Sequence, residues 1–150
     1  MLGGAGKSGS LALAAARRSG ASRLIGLVPT AAEAAALEAS ALADAVVVAD
    51  ARDPIAVAEA VRGAGGPADV TVVCVDVAGC EGGAILATRP KGRILFFSMA
   101  TSFTAAALTA EGVGRDVETI IGNGYTEGWL ETAFGLYRSN AGLAAAFNAL

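Results

Sequence analysis

The chain has 150 residues, of which 54% are hydrophobic and 17% charged, with a formal net charge of −3. This composition excludes an intrinsically disordered chain, and its 11 basic residues are scattered rather than clustered as in a nucleic-acid-binding face. Two cysteines and no histidine leave no His-based zinc site and no Ser-His-Asp triad within the chain. We therefore expect no metal, no nucleic-acid partner and no membrane association, and we expect a cytoplasmic protein with reduced thiols.

Hydrophobic patterning predicts helices and strands that alternate along the whole chain. A glycine-rich loop (3–9) precedes a predicted helix (10–19), which Gly20 ends. The other predicted helices are 31–42, 55–62, 81–87, 129–138 and 143–150, residues 103–111 are loop or helix, and the predicted strands are 23–28, 45–49, 70–75, 93–97 and 117–121. Strand 70–75 is apolar throughout, which predicts burial on both faces. The alternation predicts an α/β fold with a doubly wound, mostly parallel, Rossmann-like sheet, in one domain (1–150).

The glycine-rich loop matches the dinucleotide-binding pattern G-x-G-x-x-G at Gly4, Gly6 and Gly9. The first glycine permits the tight turn, the second lets the backbone approach a pyrophosphate, and the third lets the helix pack close to the sheet. Because the loop opens a helix and is followed by strand, helix and strand, it satisfies the context of the motif. We expect the pyrophosphate to lie along Gly4, Gly6, Lys7, Ser8 and Gly9.

Two other functions stay open. Gly6-Lys7-Ser8 also resembles the end of a P-loop, and Asp76 follows a strand where it would hold magnesium. Met1 stands where that motif requires its first glycine, and Gly9 fits the dinucleotide pattern better. The third possibility is a stand-alone module that senses NAD(P) without chemistry.

The remaining candidate site residues follow predicted strands, because ligands of doubly wound sheets lie beyond the carboxyl ends of the strands. The second strand ends in Val28-Pro29-Thr30 and lacks the Asp or Glu that holds the adenosine ribose in NAD enzymes. The choice between NAD and NADP therefore stays open, and we expect Val28, Pro29 and Thr30 to border the adenosine ribose. We expect Asp50 and Ala51 beside the adenine. Around the nicotinamide and its ribose we expect Val75, Asp76, Val77, Ser98, Met99, Ala100, Asn123 and Gly124.

The strand that should precede the glycine loop is nearly missing, because only Met1 and Leu2 stand before it. That strand is central in the order 3-2-1-4-5-6, so its neighbours would each expose an apolar edge with unpaired backbone groups. From this we expect a truncated first strand, low stability of the isolated chain, and a fragment, a misassigned start or half of a split protein.

Several later segments are more specific than the glycine loop. Residues 96–103 (FFSMATSF), 110–114 (AEGVG) and 121–125 (IGNGY), with GAGKSG and ILATRPKG, resemble L-erythro-3,5-diaminohexanoate dehydrogenase over essentially the whole chain. The resemblance implies NAD(P)-dependent oxidative deamination of 3,5-diaminohexanoate to 5-amino-3-oxohexanoate in lysine fermentation. It also implies a small-molecule substrate, a homo-oligomer, and a missing N-terminal domain that supplies the general base. We assign no catalytic residue in this chain.

Overall fold

The computed structural model of the protein describes residues 1–122 and 124–148, and helices and strands alternate through them. The helices are α1 Lys7–Arg18, α2 Ala31–Ser40, α3 Pro54–Gly63, α4 Glu81–Ala87, α5 Phe103–Leu108, α6 Ala110–Val113, α7 Trp129–Ser139 and α8 Ala141–Asn148. The strands are β1 Ile25–Val28, β2 Ala45–Val48, β3 Ala68–Val73, β4 Thr88–Phe96 and β5 Glu118–Ile121.

The strands form a parallel sheet in two parts, and Leu2 lies between them. β1 pairs with β2, and β3 pairs with β4, which pairs with β5. Leu2 makes parallel bridges to both Leu27 of β1 and Val73 of β3. The resulting order, β2-β1-Leu2-β3-β4-β5, is the doubly wound order with a very short central strand. The predicted fold class is therefore confirmed.

Backbone hydrogen bonds hold this short strand on both sides. Leu2 donates to the Val72 carbonyl oxygen at 2.9 Å and accepts from the Cys74 N–H at 3.0 Å. On the other side, Leu27 donates to the Met1 carbonyl oxygen at 2.8 Å and accepts from the Gly3 N–H at 2.9 Å. The expectation that both neighbouring strands expose an unpaired edge is wrong at their carboxyl-terminal ends, because Met1, Leu2 and Gly3 form hydrogen bonds with both strands there.

The amino-terminal halves of β1 and β3 lack such a neighbour. A cavity of about 400 Å³ lies there, between Arg23–Ile25 and Ala68–Val72. Val70 is 56% exposed, although an apolar strand in this position was expected to be buried on both faces. That expectation is wrong for Val70, because burial of a central strand requires a neighbour along its whole length.

Each face of the sheet has its own apolar core. One core includes Leu2, Val57, Val73 and Ile85 and lies under α3 and α4. The other includes residues of α1, α2, α7 and α8, namely Leu13, Ala14, Ala34, Leu37, Leu136 and Leu143. Helices on both faces are what the alternating pattern predicts.

Capping explains where the helices begin. The Thr30 hydroxyl accepts from the Glu33 N–H, and the Asp53 carboxylate accepts from the N–H groups of Ile55 and Ala56. Helix α1 starts at Lys7, three residues before the predicted start, because Gly6 takes the N-cap position. Among the residues that the structure describes, no helix combines the length and apolar character needed to span a bilayer.

Prediction on pH and stability. The Met1 amine donates to the Ile25 carbonyl oxygen at 2.8 Å, and burial lowers the pKa of this amine from 8.0 to about 6. The unfolded chain then binds this proton more tightly than the folded chain, so the free energy of unfolding should rise as pH increases from about 6 to 8. We expect a gain on the order of 2 kcal/mol in urea unfolding of the 150-residue chain between about pH 5.5 and 8.

Acetylation of the Met1 amine supplies the control, since it removes the titrating group. The chain has no histidine that would titrate in the same range. Equal pH dependence with and without acetylation would contradict the burial of this amine.

Candidate nucleotide site at the strand ends

The glycine turn starts from the short central strand. Gly3 has a φ of +80°, which side-chain-bearing residues rarely adopt, and a Cβ there would lie 2.8 Å from the Val75 Cγ1 atom. The tight turn therefore depends on Gly3 rather than on Gly4, which was predicted for this role. Gly4 instead permits close packing, because its Cβ would lie 2.9 Å from the Leu37 Cδ2 atom.

Gly9 lets α1 approach this turn. A Cβ on Gly9 would overlap the carbonyl oxygen of Gly3, a backbone atom that cannot rotate away. This agrees with the close packing expected from the third glycine of the motif. Ser10, the next residue, is buried, and its hydroxyl donates to the Gly4 carbonyl oxygen at 3.2 Å.

The amino-terminal end of α1 is open to solvent. Gly6 is its N-cap and provides no side-chain acceptor, and Gly6, Lys7 and Ser8 are all exposed. The first helical hydrogen bond runs from the Ser10 N–H to the Gly6 carbonyl oxygen at 2.8 Å, so the preceding N–H groups point away from the helix. Packing does not require a glycine at position 6, because its Cβ would come no closer than 3.6 Å to Gly3. The turn thus presents free donors and an unobstructed backbone.

The end of β1 carries an acidic residue that the strand-end pattern did not indicate. Val28 is buried, whereas Pro29 and Thr30 are exposed. The Thr30 hydroxyl lies 3.3 Å from the Glu33 Oε1 atom and 3.2 Å from the Glu33 N–H. Glu33 therefore stands beside the position predicted for the ribose. The capping-box spacing Thr30-x-x-Glu33 was the sequence signal for it.

The end of β2 places its two candidates differently. Asp50 is exposed and binds the Arg52 guanidinium, with 2.7 Å between Oδ2 and Nη2. Hydrogen bonds from Arg52 lower the pKa of Asp50 to about 2. Ala51, predicted beside the adenine, is buried and belongs to the core under α3.

The candidates after β3, β4 and β5 follow the carboxyl-terminal ends of these parallel strands. Val75 backs the glycine turn, and Asp76 and Val77 are exposed. Ser98 and Met99 line a cavity of about 190 Å³ with Ile121 and Gly122, and Ala100 is half-buried. Ser8 and Gly124 line another cavity, of about 620 Å³, with Cys74 and Phe97. The prediction for Asn123 lies outside the described residues.

Prediction on the third glycine. Gly9→Ala should lower the free energy of unfolding by about 3 kcal/mol, because the new methyl group meets backbone atoms of Gly3. Gly63→Ala is the matched control, since its Cβ would meet nothing within 4 Å. Urea unfolding of both variants measures the difference. Equal effects of the two substitutions would contradict the close approach of α1 to the turn.

Comparisons with solved structures support the fold of the chain. No family model matches the chain. Crystal structures of AibC and of 2R,3R-butanediol dehydrogenase from Bacillus subtilis are each similar with a TM-score of 0.69, at 24% and 19% identity. They cover 95% and 96% of this chain and 41% and 40% of their own chains, and they support the fold alone.

Two curated relatives share more sequence. L-erythro-3,5-diaminohexanoate dehydrogenase from Acetoanaerobium sticklandii is 42% identical over 144 residues, covering 93% of this chain and 42% of that protein. The dehydrogenase of the same name from Fusobacterium nucleatum subsp. nucleatum is 41% identical over 152 residues, covering 99% and 44%. The chain thus spans about two fifths of the length of these relatives. The predicted resemblance is confirmed: over nearly its whole length, the chain is similar to part of L-erythro-3,5-diaminohexanoate dehydrogenase.

Proposed function

We propose that residues 1–150 form the dinucleotide-binding domain of an NAD-dependent amino-acid dehydrogenase. The whole protein then carries out the oxidative deamination of L-erythro-3,5-diaminohexanoate to 5-amino-3-oxohexanoate. The observation that carries the proposal is the exposed, uncapped amino terminus of α1, reached through a glycine turn from the central strand. The names of the two relatives, at 41% and 42% identity, support the reaction.

The pyrophosphate would bind where the sheet changes direction. The strand order reverses around Leu2, and ligands of such sheets bind in the crevice at that point. The N–H groups of Lys7, Ser8 and Gly9 would donate to the phosphate oxygens, and the positive end of the α1 dipole would favour their charge. The exposed Lys7 ammonium adds a further positive charge at this place.

The charges around the adenosine end favour NAD over NADP. Glu33 brings a carboxylate to the end of β1, where it would accept hydrogen bonds from ribose hydroxyls and repel a 2′-phosphate. The Arg52 guanidinium, a cation that could otherwise pair with a 2′-phosphate, is already bound to Asp50. We therefore propose NAD as the cofactor.

The chemistry divides between cofactor and protein. Bound nicotinamide would accept a hydride from the amine-bearing carbon of the substrate. The residues of this chain bind and orient: the α1 terminus holds the phosphates, and the turn after β4 borders the reactive end. The chain has no histidine, and we assign the general base to none of its residues.

The proposal also covers the oligomeric state and the cellular location. All four residues of β5 are exposed, and this strand forms an edge of the described sheet. An open strand edge that exposes Ile120 and Ile121 is suited to association, which supports a homo-oligomer. A cytoplasmic location stays a prediction.

The geometry disfavours a P-loop nucleotidase. The turn between the central strand and α1 spans only Gly3–Gly6, which is too short for the phosphate cradle of that motif. A sensing module would use the same dinucleotide site, so the absence of turnover in the full-length protein would favour it.

Prediction on the second glycine. Gly6→Ala should weaken NADH binding at least about tenfold, because the new methyl group occupies the approach to the phosphates. Its free energy of unfolding should stay within about 1 kcal/mol of the parent chain, since the Cβ has room. Nicotinamide fluorescence titration with parallel urea unfolding separates the two effects, and Gly63→Ala should leave binding unchanged. Undiminished NADH binding by Gly6→Ala, or no binding by the parent chain, would refute the proposed site.

Prediction on cofactor choice. The chain should bind NADH more tightly than NADPH, and Glu33→Gln should narrow the ratio of the two dissociation constants about tenfold by removing the negative charge. Glu38→Gln, at an exposed position on the same helix, is the matched control. Tighter binding of NADPH by the parent chain would overturn the assignment to NAD.

A further inference from the structure

A buried carboxylate stands behind the turn that follows β4. Glu81, the first residue of α4, is only 1% exposed, and no other Asp, Glu, Lys or Arg side chain among the described residues is buried to this degree. Removing an ionised carboxylate from water costs several kcal/mol, so an apolar residue would serve packing better. Its neighbours Ala84 and Ile85 are such residues.

The Glu81 carboxylate binds the backbone of this turn. Its Oε1 atom accepts a hydrogen bond from the Ser102 N–H at 2.6 Å, across 21 positions of sequence. Ser102 is also the N-cap of α5, where its hydroxyl accepts from the Ala105 N–H at 3.2 Å. A charge-assisted bond to a backbone donor is stronger than a neutral one. Glu81 therefore fixes the point at which the turn ends and α5 begins.

The turn itself borders a small cavity at the ends of β4 and β5. Within the turn, the Ser98 hydroxyl accepts from the Ala100 N–H at 3.1 Å. Ser98, Met99 and Thr101 line the 190 Å³ cavity at the ends of β4 and β5. The Thr101 hydroxyl is buried and has no hydrogen-bond partner among the described residues. An unpaired buried hydroxyl costs about 1–3 kcal/mol, a cost that a ligand with a polar group would remove.

We propose that Glu81 is a positioning residue for the bound dinucleotide. By holding the Ser102 N–H, its carboxylate keeps the turn 98–102 in the conformation that presents Thr101 to the cavity. The inference rests on the proposed function, because it takes the cavity to receive part of the dinucleotide. Glu81 acts through the turn and does not touch the reacting atoms.

The experiment compares Glu81→Gln with Glu81→Leu. The glutamine retains an oxygen that can accept from the Ser102 N–H, whereas leucine has a similar size and no acceptor. Glu59→Gln and Glu59→Leu, at an exposed position on α3, are the matched controls. Amide hydrogen exchange at Ser102 is measured without nucleotide, and NADH affinity is measured by nicotinamide fluorescence.

We expect Glu81→Leu to accelerate exchange at Ser102 and to weaken NADH binding, each about tenfold. In Glu81→Gln, the exchange rate at Ser102 and the NADH affinity should both stay within about threefold of the parent values. Thr101→Val should weaken NADH binding and leave exchange at Ser102 unchanged.

Two results overturn the positioning role. Either Glu81→Leu leaves exchange at Ser102 unchanged, or it accelerates exchange and leaves NADH affinity at the parent value. Failure of the parent chain to bind NADH would instead refute the proposed function. If Glu81→Leu does not fold, Glu81→Asp replaces it in the test. The shorter aspartate side chain should lengthen the hydrogen bond from the Ser102 N–H. Exchange at Ser102 should then be faster and NADH binding weaker in a folded protein.

Discussion

The hydrogen bonds of Met1, Leu2 and Gly3 join the two parts of the sheet, and the rest of the structure depends on them. Leu2 itself bonds to β3, while its neighbours Met1 and Gly3 bond to β1. The Leu2 side chain is 1% exposed and belongs to the core under α3 and α4. The same few residues therefore set the strand order, anchor one core and start the glycine turn.

This arrangement also orients the candidate site. Because Gly3 is bonded to Leu27 and turns with a positive φ, the chain leaves the sheet directly into α1. The amino terminus of α1 then lies at the edge where all the parallel strands end. Two charged side chains at this edge have polar partners: Arg52 forms an ion pair with Asp50, and Glu33 accepts a hydrogen bond from the Thr30 hydroxyl. A phosphate at α1 and a ribose near Glu33 would meet complementary groups.

Much of the fold was predictable because its signals are local. Runs of β-branched residues such as 46–48 mark strands, and Pro54 after Asp53 marks the start of a helix. The glycine spacing predicted the close packing of Gly9 for the same reason. The positive φ of Gly3 was missed, because the motif assigns the tight turn to its first glycine, which is Gly4.

The remaining features depend on the tertiary structure. The exposure of Val70 follows from the missing neighbour beside the first half of β3, and the burial of Ala51 follows from the packing of α3. The buried bond between Glu81 and Ser102 joins residues 21 positions apart, which no local pattern reveals. Glu33 was within reach of sequence reasoning, since the capping-box spacing was present.

The most direct test of the account is amide NMR of the 150-residue chain during titration with NADH. Donation to the pyrophosphate predicts the largest shift changes at the N–H groups of Lys7, Ser8 and Gly9, with smaller ones at Thr30 and Thr101. Saturable changes confined to residues away from the strand ends, such as those lining the cavity between Arg23 and Asp69, would contradict it.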